Sequence, residues 1–241
     1  MQIKIVGAGI GGLATAVRLA VQGHEVEVLE MADGPGGKLT EFSLGAYRFD
    51  LGPSLFTMPQ YVDELFELAG EHPVDYFQYQ RLPIVCRYFW EDGTQVRGFA
   101  HPDDFAQEVA QQLQVPADYV RNMLSDAQRK YEITGRTFLE KSLHKWQTWA
   151  NWTVLKAMLK IPGLDLFTTM HRVHERVAKH PKLVQLFDRF ATYNGSNPYK
   201  APGLLTIIPH FEHHHGAYMP EGGMYSIAKA VYELALRTGV T

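Results

Sequence analysis

Cysteine is almost missing from this 241-residue sequence: Cys86 stands alone. No disulfide framework can form within the chain, and a reducing, cytosol-facing compartment is expected. Without a His or Asn partner motif, one cysteine reads as a core residue, not a nucleophile. No stretch reaches the roughly eighteen uninterrupted apolar residues that suggest a transmembrane helix. The opening Met-Gln-Ile-Lys-Ile-Val-Gly enters a strand pattern directly, without the basic and then apolar leader of a secreted protein. Internal repeats and low-complexity tracts are missing as well. At 46% hydrophobic and 12% aromatic, the chain can bury a sizeable core as one large domain or two smaller ones.

The formal net charge of −3 conceals an asymmetry. Residues 1–128 carry 8 Lys and Arg against 18 Asp and Glu, residues 129–182 carry 11 against 4, and residues 183–241 carry 4 against 4. A basic middle in an acidic protein implies a surface that meets an anionic partner. Trp146, Trp149 and Trp152 lie there among Lys141, Lys145, Lys156 and Lys160. That composition suits an interfacial helix on an anionic membrane surface and equally a helical lid packed on a second domain. Nucleic acid is the poorer partner, because no recognition motif accompanies the charge.

Local patterns give the organisation. Residues 3–6 and 26–29 read as strands around a helix from Leu13 to Val21, a βαβ unit. Runs at 39–42 and 47–50 around Gly45 predict a hairpin, Pro59 to Leu68 a helix, and 82–99 a second hairpin turned by Glu91-Asp92-Gly93. Residues 102–195 are mostly helical in pattern, interrupted at Pro116, Gly135, Pro162-Gly163 and Pro181. Strand character is expected again at Leu204 to Ile208 and around His210 to Met219, then a helix from Tyr225 to Arg237. Gly239-Val240-Thr241 reads as the lead-in to another strand.

The first chemical signal is Gly7-Ala8-Gly9-Ile10-Gly11-Gly12, with glycines at the first, third and sixth positions of a strand-to-helix turn. Gly7 permits the tight turn, Gly9 lets a pyrophosphate approach the backbone, and Gly12 lets helix and strand pack closely. Phosphate charge then meets the positive helix N-terminus. Glu30, at the end of the second strand, is placed to accept from the adenosine ribose hydroxyls and to repel a 2′-phosphate, which disfavours NADP. The fingerprint alone leaves NAD and FAD open.

Gly36-Gly37-Lys38 and Phe49-Asp50-Leu51-Gly52-Pro53-Ser54 decide between them. With these segments in order, the chain resembles the large FAD family of amine oxidases, protoporphyrinogen oxidase, Rab GDP-dissociation inhibitor and the phytoene desaturases. The resemblance implies that Gly36, Gly37 and Lys38 flank the FAD phosphates and ribose, and that the Gly52, Pro53, Ser54 turn lies towards the flavin. Two longer stretches, Gly52 to Pro59 and Tyr193 to Ile227, are similar to the bacterial carotenoid desaturases of the phytoene desaturase type. That family's members are about twice as long.

What the resemblance implies is an α/β protein: an FAD-binding Rossmann-like parallel sheet, a second, antiparallel-sheet substrate domain and a helical lid, truncated at the C-terminus. Its expected division is 1–75 and 224–241 for the FAD-binding domain, 76–128 and 196–223 for the substrate domain, and 129–195 for the lid. The expected activity is desaturation of carbon–carbon bonds in an apolar polyene such as phytoene, with hydride passing to FAD. Quinone or oxygen would accept the electrons, and the protein would sit peripherally on the cytoplasmic membrane. An amine or porphyrinogen oxidase and a non-enzymatic lipid escort remain alternatives. Tyr225 is a candidate substrate-pocket residue, and no catalytic residue emerges. His210, Glu212, His213, His214 and His215 raise the idea of a metal, but a partly exposed, solvated histidine run is the preferred reading and no metal is assigned.

Overall fold

The computed structural model describes residues 1–140, 144 and 161–241, with side chains for 1–135, 144 and 163–241. The membrane-contact reading of Trp146, Trp149, Trp152, Lys141, Lys145, Lys156 and Lys160 falls outside the described residues. The chain divides into two units, Met1–Leu82 with Ala217–Thr241, and Pro83–Gly216. It is an α/β protein whose sheets, among the described residues, are all two-stranded.

In the first unit, β1 (Gln2–Val6) and β2 (Glu25–Leu29) pair in parallel, from Gln2 opposite Glu25 to Val6 opposite Leu29. The crossover is α1 (Ile10–Val21), which buries Leu13, Ala16 and Val17. The Thr241 N–H donates to the Val26 carbonyl (3.1 Å) and its carbonyl accepts from Val28 N–H (2.7 Å), so the backbone at Thr241 follows a parallel ladder beside β2. β3 (Thr40–Leu44) and β4 (Tyr47–Leu51) form the hairpin expected around Gly45, and α2 (Gln60–Leu68) follows. β5 (Tyr79–Arg81) pairs antiparallel with the strand Tyr218–Pro220, here β8. Residues 76–82 and 217–223, assigned from sequence to a substrate domain, thus group with the nucleotide fingerprint. The chain closes with α7 (Tyr225–Arg237), which buries Ile227, Ala228, Val231, Leu234 and Ala235.

In the second unit, β6 (Ile84–Phe89) and β7 (Gln95–Phe99) form the Asp-Gly hairpin. α3 (Pro102–Leu113) and α4 (Ala117–Glu140) are separated at Pro116, as the proline requires. α5 (Met170–Val177) and α6 (Pro181–Asp188) come after the basic middle. Phe105, Val109, Val120, Met170, Leu183, Leu186, Phe187 and Phe190 form the core.

Four sequence expectations are corrected here. α4 continues through Gly135, because a glycine inside a packed helix costs only about 1 kcal/mol relative to alanine. Leu204 to Ile208 is not a strand: Gly203–Ile207 forms a 3-10 helix confined between Pro202 and Pro209, which leaves no N–H for a ladder at either end. Phe211–His215 is a π-helical turn, not a strand, and strand structure begins only at Tyr218. The solvated part of the histidine run shrinks to its end, where His214 is exposed and His215 half-buried. His210 and His213 are 4% and 3% exposed and Glu212 is 1% exposed, because the wide turn points these side chains inward, where they pack on Tyr131, Phe105 and Arg189. No described helix is long and apolar enough to cross a membrane.

Candidate nucleotide site

The three glycine segments converge in the first unit. Gly7 has φ +100, a conformation open to glycine and strained for other residues. A Cβ on Gly12 would overlap the Gly7 carbonyl, whereas one on Gly9 would meet nothing within 4 Å. Gly12 therefore lets the helix pack on the turn, and Gly9 leaves an open face. The Gly36 N–H donates to the Ala8 carbonyl (2.8 Å), and a Cβ on Gly37 would come within 3.3 Å of Gly9 Cα. Gly52 in turn sits against the Lys38 carbonyl, which a Cβ there would overlap. Loops at 7–12, 36–38 and 52 are thus stacked backbone on backbone. Lys38, Pro53 and Ser54 are exposed.

Glu30 closes the site at the end of β2. Its Oε2 accepts from Ala8 N–H (2.6 Å) and its Oε1 from Met31 N–H (2.8 Å) and Ala32 N–H (2.9 Å). Those amides, Ala32 first, hold its carboxyl below the usual range. A carboxylate has about four acceptor positions, so three amide bonds fix its orientation and leave one for an incoming hydroxyl. A cavity of about 260 Å³ lies beside it, lined among others by Ala8, Pro35, Tyr232 and Leu236.

α1 starts at Gly9 with no side-chain cap and no acidic residue in its first turn, so its N-terminal amides are left for an anion. An open glycine face, an uncapped helix start and an oriented carboxylate at the neighbouring strand end fit the pyrophosphate and ribose of FAD.

Sequence reading missed the part played by α7. Asp50 accepts from Met224 N–H (2.9 Å) and Tyr225 N–H (3.2 Å), and pairs with Arg48 (3.0 Å). Burial raises its carboxyl, but the two amides and Arg48 outweigh that and hold it below the usual range. Arg48 and Lys229 both reach Glu41 (2.6 Å each). Tyr225 donates to the Pro35 carbonyl (3.1 Å) and its ring packs on Gly36. The structure thus places Tyr225 against the 34–37 loop, as a brace for that loop. One sequence signal existed: Gly222-Gly223, both at positive φ, lets the helix start come close enough for Asp50 to cap it.

The family described as flavin containing amine oxidoreductase matches residues 10–241. Among curated proteins, the chain is 45% identical over 98% of its length to a 1-hydroxycarotenoid 3,4-desaturase from Flavobacterium sp. (strain P99-3), of which it covers 48%. It is 32% identical over 99% of its length to a 4,4′-diapolycopene oxygenase from Methylomonas sp, again covering 48%. Among solved structures, it resembles cyclohexylamine oxidase from Brevibacterium oxydans IH-35A with a TM-score of 0.57 at 21% identity, over 99% of this chain and 50% of that one. The chain spans about half the length of the curated relatives it matches.

Proposed function

The chain belongs to the flavin-containing amine oxidoreductase family, with FAD as its cofactor, and from that premise we propose that it forms half of an enzyme that desaturates carbon–carbon bonds of a carotenoid. The observation that carries this reading is the 45% identity to a protein named as a carotenoid desaturase, against 32% to one named as an oxygenase. In the reaction, a saturated bond loses one hydrogen as hydride and one as a proton, leaving a new double bond. FAD, when bound, supplies the two-electron acceptor at its flavin, and quinone or oxygen is the expected oxidant that restores it.

The chain's own residues bind and orient. Gly7, Gly9 and the start of α1 hold the pyrophosphate, while Glu30 takes the adenosine ribose. Gly36, Gly37 and Lys38 flank the phosphates, and Gly52, Pro53 and Ser54 face the flavin. Tyr225 keeps the 34–37 loop in place through Pro35. The polyene reaches the protein from an anionic membrane surface, met by the basic stretch 129–182. Phytoene is the substrate that the sequence motifs suggest; the name of the Flavobacterium relative adds 1-hydroxycarotenoids to the assay.

The test is a chimera in which this chain replaces the matched half of the Flavobacterium relative, supplied with phytoene or a 1-hydroxycarotenoid in a lipid phase. The expected result is bound flavin and a product absorbing at longer wavelength. A folded, flavin-loaded chimera that adds no conjugation to any carotene supplied would overturn the reading.

A further inference from the structure

Apart from the nucleotide site, the second unit holds a cavity of about 710 Å³ between α5, α6 and the segment at Pro198-Tyr199. Its acceptors are already engaged. Each carboxylate oxygen of Asp188 takes one histidine Nδ1, Oδ2 that of His171 (2.6 Å) and Oδ1 that of His174 (2.7 Å). Glu175 faces the other ring nitrogen of His171 at 3.2 Å. Gln185 Oε1 takes the Trp90 indole N–H (2.8 Å).

The donors are in the opposite condition. Arg189 lines the cavity, and while its terminal nitrogen pairs with Glu212, its Nε is buried with no partner among the described residues. Nδ1 of His180 is likewise buried and unpartnered, and Lys179 at the rim has no partner among the described residues. A guanidinium N–H can only donate, and leaving it buried and unpaired is costly. The spare hydrogen-bonding capacity of the cavity therefore calls for an acceptor-rich anion.

We infer that this cavity binds a phosphate-type oxyanion, with His180, Arg189 and Lys179 as donors, once Glu175 swings away from His171 to admit it. Glu175 is free to swing, since its side chain is 57% exposed. It acts as a competing internal anion that occupies His171 until a ligand displaces it. The oxyanion comes from a soluble phosphate or from a phospholipid headgroup. This inference goes beyond the desaturase reading and does not depend on it.

The experiment uses the 241-residue chain and follows imidazole resonances during titration with inorganic phosphate, against chloride at equal ionic strength. Saturable shifts of His171 and His180 are expected. His180→Ala should weaken binding about tenfold by removing a donor to a charged acceptor. Glu175→Gln, at an exposed position that leaves the fold intact, should strengthen it about threefold by removing a like charge. Sedimentation with phosphatidylglycerol or phosphatidylcholine vesicles separates the sources. Binding to phosphatidylglycerol that phosphate competes away and His180→Ala abolishes supports a headgroup ligand, and phosphate binding without vesicle binding supports a soluble one. No saturable response beyond chloride in both the native chain and Glu175→Gln would overturn the inference, as would unchanged phosphate affinity in a His180→Ala variant with native circular dichroism.

Discussion

Gly9 and Gly12 occupy the same turn, yet the space around them gives them opposite sensitivities. Gly9 has φ −69 and ψ 168, which an alanine adopts without strain, and the space at its Cβ position is open. Gly9→Ala should therefore leave thermal stability within about 0.5 kcal/mol while weakening FAD retention, because the added methyl lies where the cofactor approaches. Gly12→Ala should do its damage in the apo protein, costing about 1–3 kcal/mol through overlap with the Gly7 carbonyl. Melting curves with and without FAD distinguish the two, and equal loss of stability in both variants would refute the division. Glu30→Ala removes the carboxylate that the amides of Ala8, Met31 and Ala32 orient. Flavin retention in the chimera should drop about tenfold, in line with a lost charge-assisted hydrogen bond. Equilibrium dialysis that finds FAD affinity unchanged would remove Glu30 from the site.

At the scale of elements, what could be read from sequence was local. The βαβ opening, both hairpins and the span of α7 follow from hydrophobic period and turn chemistry within about a dozen residues. Two kinds of feature lay beyond that reach. The first is the way α7 supports the site: Asp50 caps Met224 and Tyr225 from 174 and 175 positions away, and no local pattern reports such a contact. The second is the run from His210 to His215, which the sequence reading expected as a partly exposed strand. Its geometry is decided instead by Glu212, which Arg189 and Tyr193 draw into the interior. Burial raises the Tyr193 hydroxyl far above its usual range, and the adjacent carboxylate adds to that, so the phenol stays protonated and keeps donating. If Asp50 couples the hairpin to α7, then Asp50→Ala should cost about 1 kcal/mol, the usual worth of a helix cap. Arg48 would also lose one of its two partners. Urea unfolding followed by circular dichroism measures this. A midpoint unchanged from the parent chain would mean that the helix start is held by packing alone.

Both units of the molecule hold carboxylates below their ordinary range, and the second adds buried histidines. In the first unit the perturbed acids, Glu30, Glu41, Asp50 and Glu71, are all held below their ordinary range. The stability they contribute is present at neutral pH and is lost progressively as pH falls from the ordinary carboxylate range, about 4, down through their lowered native values. In the second unit, burial pushes His210 and His213 down to about 4, with neighbouring histidines adding to the effect at His210. His174 is lowered as well, burial outweighing the pull of Asp188. Unfolded, these imidazoles would titrate near 6.5. Between pH 6.5 and 4 the unfolded chain therefore binds more protons than the native one, and linkage requires stability to decline as pH decreases through that interval. Each unit of separation is worth about 1.4 kcal/mol per histidine, enough to lower a melting temperature by several degrees. All four tryptophans lie between residues 90 and 152, inside the range of the second unit, so their fluorescence reports on that unit. The expected outcome is a tryptophan-detected melting temperature that decreases steadily from pH 7 to pH 4.5. His213→Phe, which keeps the ring stacked on Phe105, should flatten part of that slope, since it removes one titrating group without removing the packing. A melting temperature independent of pH over this interval, or a slope unaffected by His213→Phe, would show that the buried histidines are not held neutral.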